Sequence, residues 1–220
     1  MKPSDLSRIS SRYARFPDRC YVTCKLRTDP LYAAVSRELE GSTLPLLDVG
    51  CGLGLLALYL YEAGHRFPAH GLDYDRRKIS TAIAAAGDEA FDFREHDARR
   101  GLPAFSGNVT ILDILQFFQP AEQETLLRQA ADRLAPGGKL ILRSGLRDRS
   151  VRFHVTHAAD VIAKVTRWMK AAPVHYPDAE FLRSVLAPYG TLTLSPLWGH
   201  TPFNNHLIVL QRPPAPQFDA

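Results

Sequence analysis

The chain has 220 residues, 45% hydrophobic and 23% charged, the composition of an ordinary globular domain with one sizeable core rather than a disordered or fibrous chain. A formal net charge of +4 tolerates an acidic partner but is too small for a basic nucleic-acid surface, so nucleic acid is not the expected partner. Cys20, Cys24 and Cys51 are too few for a disulfide framework, and the first two lack a second ligand pair at zinc spacing, so reduced thiols in a cytoplasmic protein without a metal site are expected.

Residues 1–28 show no clear periodicity but are rich in Arg, Tyr and Phe. They contain no signal-peptide core, and no apolar run along the chain approaches a membrane span. Asp29-Pro30 opens a helix with Asp29 as N-cap and Pro30 as first helical residue, and Gly41 closes it. This leading segment is expected over one end of a sheet, where Tyr13, Arg15, Phe16, Tyr21, Lys25 and Arg27 could close over a ligand or serve as a surface arm. The next stretch, 46–56, reads Leu-Leu-Asp-Val-Gly-Cys-Gly-Leu-Gly-Leu-Leu. A buried strand ends at Asp48-Val49 and turns through three glycines into a segment of helical spacing. Glycines let the backbone turn tightly and approach a ligand, and the helix N-terminus points free N–H groups over the turn. The stretch therefore reads as a nucleotide- or cofactor-binding loop at the carboxyl end of a first parallel strand. It is neither G-x-G-x-x-G nor a phosphate loop, since no Lys-Ser or Lys-Thr follows. Asp48 would repel a pyrophosphate but suits a cationic ligand, such as an α-amino group or a sulfonium.

Ala63-Gly64 is a helix end, and a second strand runs to His70-Gly71-Leu72-Asp73. An acid at a strand end, about twenty positions beyond a glycine turn, suits a ribose diol, because one carboxylate can accept from two hydroxyls. Asp75 caps a helix through Ala86. A third strand over Phe91–Ala98 contains Asp97, and a fourth, Val109–Leu115, contains Asp113 and is followed by Gln116. A helix opens at Pro120 with Leu126, Leu127, Ala130 and Leu134 on one face. Pro136-Gly137-Gly138 then turns into a fifth strand, Leu140–Arg143. Residues 144–176, with Arg147, Arg149, Arg152, His154, His157, Lys164, Arg167, Lys170, His175 and Tyr176, read as a substrate lid or a solvated helix face. Asp178 begins a helix through Leu186, and Thr191–Ser195 and Asn205–Gln211 read as two closing strands around a Trp198–Phe203 loop. Residues 213–220 are Pro-rich and expected to fray.

Asp48-x-Gly50-x-Gly52-x-Gly54, Gly71-Leu72-Asp73-Tyr74, Asp97-Ala98 and the Pro-Gly-Gly turn, in this order, resemble the class I S-adenosylmethionine-dependent methyltransferases. The resemblance implies a Rossmann-like α/β fold: a mostly parallel seven-stranded sheet flanked by helices, with a C-terminal antiparallel hairpin. It implies one methyltransferase domain over 1–220: a cap and substrate segment (1–44), a cofactor core (45–143), the lid (144–176), a C-terminal helix and hairpin (177–212) and a tail (213–220). S-adenosylmethionine is the implied cofactor, S-adenosylhomocysteine its product. The implied cofactor residues are Asp48, Gly50, Cys51, Gly52, Gly54, Asp73 on the ribose, Tyr74 stacked on adenine, Asp97 and Ala98 at the adenine amine, and Asp113. Gln116 stands where the family often has His, and glutamine orients a hydroxyl without taking its proton. It is grouped with Tyr13, Lys25 and Arg27 as substrate-binding. The cofactor methyl is already electrophilic, so the chain has to align an acceptor, exclude water and, for an oxygen or activated ring carbon, remove a proton. His154, His157, His200 and Tyr176 are the candidate bases.

Lys25-Leu26-Arg27-x-Asp29-Pro30, Leu112-Asp113-Ile114-Leu115 and Pro202-Phe203-x-Asn205 are similar to methyltransferases beside bacterial aryl polyene pigment genes. That likeness implies a hydroxyphenyl acceptor, free or tethered to an acyl carrier protein, whose nucleophile is a phenol-activated ring carbon. Two alternatives are an RNA methyltransferase, for which the Asn/Asp-Pro-Pro-Tyr signature and an RNA-binding module are missing, and a binding or scaffold protein without turnover.

Overall fold

The computed structural model describes residues 3–87, 89, 91–156, 175–199 and 201–216. Its seven strands lie in one sheet of order β3-β2-β1-β4-β5-β7-β6, all parallel in the pairings described except at the β5-β7-β6 end. The chain forms two compact units, 1–100 and 101–220.

The first unit begins with two helices where the sequence shows no periodicity, α1 (Pro3–Ser11) and α2 (Phe16–Thr28). On α2 only Val22 and Leu26 are buried, so its apolar stripe is a single i,i+4 pair, too short to stand out among Arg, Cys and Thr. Helix α3 (Leu31–Glu38) starts one residue later than expected. Asp29 still serves its entry, its Oδ1 accepting from the Leu31 N–H at 3.0 Å. Strand β1 (Leu46–Val49) is buried at all four positions, as a strand covered on both faces must be. Helix α4 (Leu55–Glu62) buries its first six residues, β2 spans Ala69–Asp73, and β3 spans Phe91–Glu95. Between the last two, α5 (Arg76–Ala86) opens on the Asp75 carboxylate, which accepts from the Arg77 N–H, as its sequence predicts. Leu46–Val49 align with Ala69–Leu72, and Ala69–Asp73 with Phe91–Glu95, so Asp48 lies beside Gly71 and Asp73 beside Glu95.

In the second unit, β4 (Asn108–Leu112) pairs in parallel with β5 (Lys139–Gly145), and β7 (Asn205–Gln211) runs antiparallel between β5 and β6 (Thr191–Pro196). Helix α6 (Pro120–Asp132) opens with Pro in its first turn and a reciprocal Gln119–Glu122 cap, and packs on α7 (Ala179–Leu186), whose N-cap is Asp178. The proline-rich tail starts held rather than frayed: the Pro213 carbonyl accepts from the Gly137 N–H at 3.1 Å. Among the described residues no helix is long and apolar enough to cross a membrane.

Candidate functional site

Between β1 and α4 the chain makes a tight turn in which Gly50, Gly52 and Gly54 all have positive φ. The Gly50 and Cys51 N–H groups both donate to the Leu72 carbonyl, at 2.7 and 2.9 Å, and that of Gly54 to the Cys51 carbonyl at 3.0 Å. The Gly52 N–H donates to Asp73 Oδ2 at 3.0 Å. Four of the turn's amides are thus spent inside the protein. These amides belong to the turn, ahead of the helix N-terminus whose N–H groups the sequence points over it, and the turn itself is a poor cradle for a phosphate. Gly54, at φ 72°, is fixed by packing as well as by backbone, since a Cβ there would stand 2.7 Å from Phe93 Cζ. Gly52, at φ 57°, faces open space.

The field at the turn is negative. Asp48 and Asp73 are both buried. The Cys51 thiol beside them is pushed up, first by burial and then by these two carboxylates. Such a field disfavours a pyrophosphate and favours a ligand carrying positive charge. Asp73 is anchored through both oxygens, Oδ1 accepting from the Asp75 N–H at 2.8 Å while Oδ2 takes Gly52. A carboxylate has about four lone-pair directions, so two remain, matching a vicinal diol. Tyr74, next along, keeps half its surface exposed, and a planar base could stack on such a ring. Asp97 Oδ1 accepts from the Arg99 N–H at 3.0 Å, and Ala98 begins a short turn of 3₁₀ helix. The residues present therefore fit a sulfonium nucleoside at this turn and do not fit a dinucleotide.

Of three residues expected to close over a substrate, two have other engagements. The Tyr13 ring is buried and its hydroxyl donates to the Leu53 carbonyl at 2.9 Å. Lys25 pairs with Asp29 at 2.9 Å across one helical turn, and Arg27 is exposed on α2.

In the second unit Asp113, the one non-glycine residue of positive φ among the described residues, is clasped by the Arg143 guanidinium. Arg143 Nε lies 2.6 Å from Oδ1, Nη2 binds Oδ2, and the Asp113 N–H donates to the Arg143 carbonyl at 3.0 Å. The Asp113 carboxylate, expected among the cofactor ligands, is therefore committed to a bidentate ion pair. Gln116 Nε2 donates to the Asp113 carbonyl at 3.1 Å, while its buried Oε1 has no hydrogen-bond partner among the described residues.

A cavity of about 460 Å³ lies in this unit, walled by Phe153, Tyr176 and Phe181 with His154 and His175. Phe153 meets Tyr176 edge-to-face at 5.3 Å. Gln123 pins the wall: buried in α6, its Nε2 donates to the carbonyls of Leu115, Phe118 and His175. Of the candidate bases, His154 and Tyr176 thus share one cavity, whereas His157 and His200 lie outside the described residues. His175 belongs to the same wall; its neighbour Tyr176 marked the stretch in the sequence, but only the contact with Gln123 brings it inward. Gln123 itself gave no signal, since a glutamine in an amphipathic helix reads as solvated.

Two carboxylates secure the cavity's flanks. Asp178 is held below the usual carboxylate range by the Phe181 N–H and by Arg147, which reaches it at 2.8 Å. Burial pushes Asp148 up, but hydrogen bonds from Ser150 and Asn204 outweigh it and hold its carboxyl low. Depressed values mean that this stability is fully present above about pH 4 and is lost as pH falls through the folded values below it. Thermal unfolding between pH 7 and pH 3 should show the melting temperature dropping in the acid limb. Asp148→Asn with Asp178→Asn should flatten that limb, and an unchanged limb would contradict the assignment.

Residues 46–138 match the family of the methyltransferase domain. A curated relative, the ubiquinone biosynthesis O-methyltransferase of Caulobacter sp. (strain K31), is 27% identical over 157 residues, 64% of this chain and 62% of its own length, so the chain spans under two thirds of that protein. Among solved structures, an O-methyltransferase family protein from Burkholderia thailandensis superposes with a TM-score of 0.70 at 15% identity, covering 96% of this chain and 64% of that one. The magnesium protoporphyrin IX methyltransferase of Synechocystis PCC 6803, solved with S-adenosylhomocysteine, superposes with a TM-score of 0.62 at 16% identity, covering 96% and 95%. The fold, the match of residues 46–138 to the methyltransferase domain family and an acid-lined glycine turn that fits a sulfonium nucleoside all point the same way.

Proposed function

We propose that the chain uses S-adenosylmethionine to methylate a hydroxyl of a small aromatic molecule. The observation that carries the reading is the glycine turn, its amides consumed internally and its walls formed by Asp48 and Asp73. When bound, the cofactor supplies an electrophilic methyl group. On this reading Asp48 and the Gly50–Gly54 turn, Cys51 included, take the methionine portion, Asp73 the ribose diol, Tyr74 a face of adenine, and Asp97 with Ala98 the adenine edge. Asp113 acts through its Arg143-fixed backbone rather than through its carboxylate.

The cavity walled by Phe153, Tyr176 and Phe181 supports an aromatic acceptor, and the imidazoles of His154 and His175 in it are suited to take a hydroxyl proton. Within that class we place a hydroxyphenyl group, free or carried on an acyl carrier protein. The O-methyltransferase name of the Caulobacter relative supports oxygen as the acceptor atom. A second reading, cofactor binding without turnover, is favoured by Gln116, whose amide cannot take a proton.

The test is incubation with methyl-labelled S-adenosylmethionine and a panel of phenols and catechols, followed by mass spectrometry. A labelled methyl on a phenolic oxygen supports the proposal. Label on RNA alone, or binding with no product from any acceptor, contradicts it.

A further inference from the structure

The segment before the first strand grips the cofactor half at three points. In α1 the Arg8 guanidinium binds Glu62, the last residue of α4, at 3.0 and 3.1 Å. Arg12 reaches Glu62 and Glu89 at 3.5 Å each and the Ala86 carbonyl, at the end of α5, at 3.4 Å. The third point is Tyr13, 1% exposed, with its hydroxyl 2.9 Å from the Leu53 carbonyl. Leu53 lies between Gly52 and Gly54, both left-handed. Burial pushes the Tyr13 phenol up, so the hydroxyl stays a donor throughout the working pH range. A glycine-rich run has many accessible backbone states, and its shape needs an external fixative on a carbonyl that no helix or strand claims.

We propose that Tyr13 is the positioning residue of the cofactor turn: its hydroxyl, by holding the Leu53 carbonyl, sets the Gly52–Gly54 backbone in the shape that accepts the nucleoside. The inference rests on the S-adenosylmethionine reading for its ligand, though not for its effect on the turn. It also gives α1 and the residues just after it a task, bracing the turn from outside.

Tyr13→Phe removes one oxygen and keeps the buried ring. Two readouts follow, hydrogen exchange at the Gly54 amide and the Kd for S-adenosylhomocysteine by calorimetry. The variant should exchange Gly54 about tenfold faster and bind about tenfold more weakly, as the loss of one buried hydrogen bond permits. Its melting temperature should move by only a few degrees. If turnover is measured, KM for S-adenosylmethionine should rise with kcat unchanged. Ile9→Val, at a fully buried position of α1, is the comparison: it should lower the melting temperature by a similar amount and leave both readouts alone. Unchanged exchange and unchanged Kd in Tyr13→Phe overturn the proposal. If the unmodified protein binds no S-adenosylhomocysteine, the cofactor reading has failed, and the exchange rate alone decides the role of Tyr13.

Discussion

Asp73→Ala is expected to weaken S-adenosylhomocysteine binding by at least about a hundredfold. Hydrogen bonds to a charged group contribute about 1.5 kcal/mol or more each, and a diol makes two, so their joint loss reaches that factor. The same substitution frees the Gly52 and Asp75 N–H groups, loosening the turn that the ligand needs. Asp73→Asn separates the two contributions. Its oxygen can keep one backbone N–H, but its NH2 must face the other, donor against donor, so binding should fall nearly as far as in the alanine variant. Asp75→Asn, which still caps α5, should change affinity little, because Asn is as good an N-cap as Asp. Calorimetric Kd values for the three variants check this ordering. An Asp73→Ala protein binding within about threefold of the unmodified one would remove Asp73 from the site.

The largest expected effect on stability is at the Asp113–Arg143 pair, and it is asymmetric. The Arg143 side chain is 3% exposed and that of Asp113 36%. Asp113→Ala leaves a buried guanidinium without its bidentate carboxylate, a loss of about 3–5 kcal/mol. It also puts Ala at φ 60°, which costs about a further 1 kcal/mol that Asp tolerates better. Arg143→Met leaves a carboxylate that water can reach and fills the vacated space with an apolar chain. It should cost about 1 kcal/mol. Asp113→Gly should recover the backbone part of the alanine penalty and nothing of the ionic part. Denaturant midpoints at constant slope measure all three. Equal losses in Asp113→Ala and Arg143→Met would mean that burial does not govern the pair.

These two predictions differ in how much the sequence foretold. Asp73 was legible, because its place at a strand end follows from the spacing to the glycines and from the run Gly71-Leu72-Asp73. The order of strands and helices was legible for the same reason: each apolar run is bounded by Gly, Pro or a capping acid, as at Asp75, Pro120 and Asp178. Arg143 was not legible. In the sequence it closes the fifth strand and borders a stretch dense in arginine, and its pairing with an acid 30 positions earlier exists only once β4 and β5 lie side by side. Helices α1 and α2 were missed because α2 buries only Val22 and Leu26, and α1 is tied to the rest of the unit by pairs such as Arg8 with Glu62, 54 positions on, which leave no periodic trace. Tyr13 was singled out as a substrate contact, the reading an aromatic in a basic arm invites, whereas its hydrogen bond to the Leu53 carbonyl, 40 positions on, leaves no trace in the sequence. His175 was named in the lid stretch, but Gln123, which gathers carbonyls from both sides of α6 and holds that of His175, gave no signal in the sequence.

The central claim is that the glycine turn receives S-adenosylmethionine, and calorimetric titration of the purified chain with S-adenosylhomocysteine, run beside NADH, addresses it directly. The account predicts saturable binding of the first, with a Kd of about micromolar order as is common for enzyme ligands, and no heat from the second. Binding of NADH, or of neither compound, would contradict it.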